Sequence, residues 1–132
     1  MLPTPDEQAR VVIELLAVLR REQKNKIRLR YRGTDADKYA QLEKCRKLER
    51  QFDALLKSID PNTPTRYDEI LSVALTMREW QVDTIKKKTR FNVRTTRAYE
   101  NAIDHHLAKY FLDATEERVG VKQMTLTDTQ NH

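Results

Sequence analysis

The chain is predicted to fold as an all-α, antiparallel up-down bundle of about four helices, and three observations carry that expectation. Apolar residues recur at spacings of three and four rather than two. Only two glycines occur in 132 residues, too few for turn-rich β architectures or glycine-loop nucleotide folds. The start and stop signals divide the chain into four segments joined by short connections, which favours antiparallel neighbours. The length is that of one ordinary domain, read as residues 1–120 followed by a polar C-terminal tail over 121–132, expected to be flexible.

The first helix starts at Thr4-Pro5-Asp6-Glu7, a threonine N-cap followed by proline at the first helical position and a glutamate placed to close a capping box. Val11, Val12, Leu15, Leu16, Val18 and Leu19 form its core stripe, and Gly33 is expected to end it in the left-handed conformation. Residues 26–32 alternate with period two, as a strand does. Their only strand partner would be 119–126, and an isolated ribbon is marginal in water, so helix is preferred.

Thr34 with Asp35 and Asp37 opens the second helix, whose seam is Leu42, Cys45, Leu48, Phe52, Leu55 and Ile59. Residues 60–65, with Pro61 and Pro64, form the longest loop. A third helix is expected from Thr65, and apolar residues from Tyr67 to Ile85 cover more than one of its faces, which predicts the most buried helix. Thr89, Asn92, Val93, Thr95 and Thr96 are mediocre helix formers, so a break is placed near Asn92. The fourth helix carries Tyr99, Ile103, His106, Leu107, Tyr110 and Phe111 and is expected to end at Gly120. No repeat with a period of 20–50 residues is apparent in the sequence.

Charge is the most informative feature. The net charge is +5, yet residues 20–32 and 86–97 carry +6 each, leaving −7 for the remainder. In an up-down bundle the ends of the first and third helices share a pole, so the two segments are expected to merge. Arg20, Lys24, Arg28 and Arg32 stand four apart and would stack over about 18 Å along one side. Like charges at that spacing repel by roughly 0.2–0.5 kcal/mol per pair, a local cost that an external polyanion would relieve. With Lys86, Lys87, Lys88, Arg90, Arg94 and Arg97 they form a candidate site for nucleic acid backbone, DNA or RNA, without base specificity. The bland alternative is a solvated face, with Asp35, Asp37, Glu43 and Glu100 neutralising part of the pole. Tyr31, Phe91 and Tyr99 interleave with the cations. Such rings stack on unpaired bases when exposed, but their helical spacing reads first as core.

Catalytic chemistry is thinly supplied, and no enzyme activity is expected. Adjacent helical residues point about 100° apart, so His105 and His106 cannot share one ion, and His106 reads as a partly buried core residue. Trp80 reads as a core or interface anchor, and Cys45 as a small buried hydrophobe in a reducing, cytoplasmic setting. No metal, cofactor or membrane is expected as a partner. The rival functional class is a protein-interaction or self-assembly module, a homo-oligomer or a subunit of a larger complex with no role for nucleic acid.

Overall fold

A computed structural model describes the backbone of residues 2–130 and the side chains of residues 2–117. Four helices, α1 (Pro5–Arg32), α2 (Asp35–Ser58), α3 (Asp68–Lys86) and α4 (Arg90–Gln130), account for the fold, with no strand among the described residues. Residues 26–32 are therefore helical despite their period-two pattern. Tertiary contacts set the directions. Arg66 N–H donates to Asp6 Oδ1 at 3.0 Å and Arg10 Nε to the Tyr67 hydroxyl at 2.9 Å, placing the start of α3 beside the start of α1. Gln41 Nε2 on α2 donates to Glu22, and Arg20 Nε donates to Asp104 on α4, so both even-numbered helices run antiparallel to α1.

Capping works locally as the sequence indicates. Thr4 with Glu7 and Thr34 with Asp37 both close complete capping boxes. Gly33, however, has φ −97° and ψ 160°, an ordinary extended conformation instead of the left-handed one expected. Room is tight there: a Cβ would stand 3.0 Å from Leu29 Cδ2 and 3.1 Å from the Leu29 carbonyl oxygen in the α1–α2 turn, closer than ordinary contact.

Several boundaries differ from expectation. Thr65 does not cap α3: its hydroxyl donates to Asp68 Oδ1 at 2.7 Å within the preceding turn, and the helix begins at Asp68. The break expected near Asn92 falls at residues 87–89. Thr89 Oγ1 there accepts from Asn92 N–H, while Asn92 Nδ2 donates back to the Lys87 carbonyl at 2.8 Å. Helical backbone passes through Gly120 as far as Gln130, so the expected stop at Gly120 is not made. The polar side chains of the 121–132 segment lie outside those described.

The apolar core is carried by Ala9, Val12, Ile13, Leu16 and Leu19 of α1, Phe52 of α2, Ile70, Leu71, Ala74 and Met77 of α3, and Ile103 and Leu107 of α4. Contrary to expectation α1 is more buried than α3, whose Leu75, Val82 and Ile85 are exposed. Only Cys45 and Phe52 of the α2 seam are fully buried, and Leu55 lies on the exposed side. On α1 and α3 the core residues all precede a buried polar layer, lying toward the α1 N-terminus, whereas Phe52 of α2 and Ile103 of α4 sit at the level of the layer's own acids.

Candidate functional site

The polar layer explains how the molecule sorts its charges. On α1, Arg20 and Gln23 stand three residues apart; on α3, so do Arg78 and Gln81, and all four are buried. Glu49 and Asp53 on α2, four apart, are matched by Glu100 and Asp104 on α4. Arg20 grips Asp104 with both ends of its guanidinium, at 2.9 and 3.1 Å, and Arg78 grips Asp53 at 2.9 and 3.0 Å. Each arginine also donates to the glutamine of its own helix, at 2.7 and 2.6 Å. Gln23 and Gln81 exchange amide hydrogen bonds at 3.1 and 3.0 Å, and their Nε2 groups reach Glu49 and Glu100 respectively.

The α1–α2 and α3–α4 hairpins thus exchange equivalent contacts across an approximate two-fold centred on the glutamine pair. The relation has no single period in sequence, because the two glutamines lie 58 positions apart while the acids on α2 and α4 follow at a shorter offset. Its readable trace is the pair of Arg-x-x-Gln and Glu-x-x-x-Asp spacings. No buried side-chain nitrogen or oxygen among the described residues lacks a partner, the condition under which a buried polar network can specify one arrangement.

Arg20, expected on the outer ladder, is buried at 6% exposure because the layer needs its charge. Lys24 is exposed but its Nζ sits 3.0 Å from Asp104. Glu100, one of the acids considered as a neutraliser of the pole, is instead turned inward to Arg20 and Gln81. Burial alone would raise the Asp104 carboxyl, but hydrogen bonds from Arg20 and Lys24 hold it below the usual carboxylate value. Glu22, only 4% exposed, is likewise held low, first by the hydrogen bond from Gln41 and then by Lys44.

Past the layer the bundle changes character. Arg28, Arg32, Lys86, Lys87, Lys88, Arg90, Arg94 and Arg97 are all exposed, and among the described residues none of them is joined to a carboxylate by an ion pair. Because α1 and α3 run parallel, the C-terminal turns of both, together with the first turns of α4, lie at this one end. Tyr31 and Phe91 are exposed there, against their expected place in the core, whereas Tyr99 is half-buried against it. The Phe91 ring touches Trp80 edge-on, with centroids 5.9 Å apart.

The opposite end holds a cleft of about 750 Å³ lined by Arg10, Glu14, Tyr67, His106, Tyr110 and Glu117 among others, in which charges of both signs alternate. His106 is half-buried on that wall and His105 is exposed. No cluster of three histidine, cysteine or acidic side chains suited to a metal occurs among the described residues, and no helix there is long and apolar enough to cross a membrane. Compared with models of known families, with curated proteins and with solved structures, the chain matches none.

Proposed function

We propose that this protein is a cytoplasmic, non-enzymatic nucleic-acid binder whose basic pole contacts phosphate backbone without base specificity. The carrying observation is the gathering of eight exposed, unpaired cations at one end of a bundle whose buried layer has drawn neighbouring acids inward. Arg28, Arg32, Lys86, Lys87, Lys88, Arg90, Arg94 and Arg97 make the contacts. Lys24 contributes at the margin, and Arg20 belongs to the interior. Such an array neutralises phosphates and releases their counterions, which gives affinity independent of sequence. The lone cysteine, Cys45, supports a reducing compartment.

The test is charge reversal at two exposed positions from different helices, Arg28→Glu with Arg90→Glu. Binding to a labelled oligonucleotide is expected to weaken at least tenfold while far-UV circular dichroism and melting temperature stay unchanged. Unaltered binding in the folded variant would refute the assignment. A protein-interaction module is the rival reading, favoured by Ile27 and Ile85, which are 51% and 79% exposed. Its signature is a tight self-assembly in sedimentation with no affinity for nucleic acid.

A further inference from the structure

Aromatic placement narrows the nature of the polyanion. The three most exposed aromatic side chains among the described residues are Tyr31 at 80%, Tyr39 at 68% and Phe91 at 68%. All three lie past the polar layer, and each is next in sequence to a cation: Arg30-Tyr31-Arg32, Lys38-Tyr39 and Arg90-Phe91. Of the remaining aromatics, Phe52 and Tyr99 pack inward, Tyr67, Tyr110 and Phe111 line the other end, and Trp80 is half-buried with its ring against Phe91. Tyr31 lies eight residues beyond Gln23 on α1 and Phe91 nine residues beyond Glu100 on α4. At helical rise the two rings stand at about 12 and about 14 Å from the layer, on different hairpins but at nearly the same height. Burying a ring in this half of the bundle was open to the fold, since Cys45 and Thr96 are buried there, yet the rings remain in solvent among cations.

We infer that the pole takes a single-stranded nucleic acid, with unpaired bases stacking on Tyr31 and Phe91 while the flanking Lys and Arg side chains hold the phosphates. The inference rests on the reading of the pole as a nucleic-acid surface and adds the strandedness. Charge alone cannot supply that preference, because a duplex carries the denser phosphate array and an electrostatic surface favours it. Exposed rings reverse the order, since base faces are available only in an unpaired strand. Both DNA and RNA single strands present this chemistry.

The experiment measures fluorescence-polarisation affinity for an oligo-dT, an oligo-U and a duplex of equal length. The wild type is compared with Tyr31→Ala, Phe91→Ala and the ring-conserving Tyr31→Phe and Phe91→Tyr, with each fold checked by circular dichroism. Expected is a preference of tenfold or more for one or both single strands. Each alanine variant is expected to lose about tenfold on the single strand and little on the duplex, while the ring-conserving variants bind as the wild type does. Ring conservation keeps the test valid at Phe91, where alanine also removes the Trp80 contact. Equal or tighter binding to the duplex, unaffected by ring removal, would overturn the stacking inference and leave the backbone reading intact. Absence of binding to all three probes would overturn both. Capture by anionic phosphatidylserine vesicles instead, or a dimer that Tyr31→Ala dissociates, would assign the rings to a lipid surface or a second copy and equally overturn it.

Discussion

At the scale of single residues, the two buried arginines and the exposed ones carry the same charge and have opposite consequences when removed. Arg20→Met or Arg78→Met strands partly buried carboxylates, Asp104 and Glu100 in one case and Asp53 and Glu49 in the other. Breaking a buried pair from one side costs about 3 kcal/mol, and each variant is expected to melt roughly 10 °C lower in calorimetry. Arg28→Ala is expected to change stability by no more than about 0.5 kcal/mol in the same assay. The carboxylates give the network a pH signature. Glu22 and Asp104 titrate below their ordinary values in the folded protein, so the stability they contribute is present in full above about pH 5 and is lost progressively as pH falls through the ordinary and then the lower folded values. Urea denaturation midpoints at pH 7 and pH 3 will show the loss, and Asp104→Asn is expected to flatten it. Cys45 is fully buried with its Sγ donating to the Glu22 carbonyl oxygen at 3.3 Å, and burial pushes its thiol upward. Its modification by an aromatic disulfide reagent is therefore expected to follow the rate of unfolding, not the reagent concentration.

At the scale of elements, the starts of α1 and α2 are the best-specified features. Replacing Thr34 by alanine removes the hydroxyl that accepts from the Asp37 N–H, while the backbone N–H of residue 34 can still donate to the Asp37 carboxylate, and about 1 kcal/mol of stability is expected to go with the lost bond, measurable by denaturant titration. Those starts were legible because capping is local, read from four consecutive residues. The helical stripes were legible for the same reason, and the bundle followed from them. Burial order was not, because it depends on tertiary placement: α1 and α3 each touch all three other helices, but Val82 and Ile85 of α3 lie beyond Gln81, past the packed half, and are exposed. Arg20 illustrates the limit at the site. Its place in a ladder of four is visible in sequence, but its acceptors stand 80 and 84 residues away on α4, and nothing local distinguishes it from Lys24 or Arg28. The matched Arg-x-x-Gln and Glu-x-x-x-Asp spacings were the available signal. They gain meaning only once the chain is folded into two hairpins that face each other.

For the whole molecule, three zones succeed one another along the bundle axis: an apolar core, a satisfied polar layer and an exposed basic end. The arginines that the layer takes in pair with Glu49, Asp53, Glu100 and Asp104 in the interior. Beyond the layer the basic cations form no ion pair with a carboxylate among the described residues, and the proposal is that they meet a nucleic-acid backbone. The most direct measurement is the affinity of the intact protein for a labelled single strand as salt rises from about 50 to about 200 mM. With six to eight of the exposed cations on the phosphates of a single strand, the affinity is expected to fall by roughly 300- to 2,500-fold over that range, linearly in the logarithm of salt concentration. Binding that is absent at the lowest salt, or that stays flat as salt rises, would contradict the account and return the basic pole to solvent.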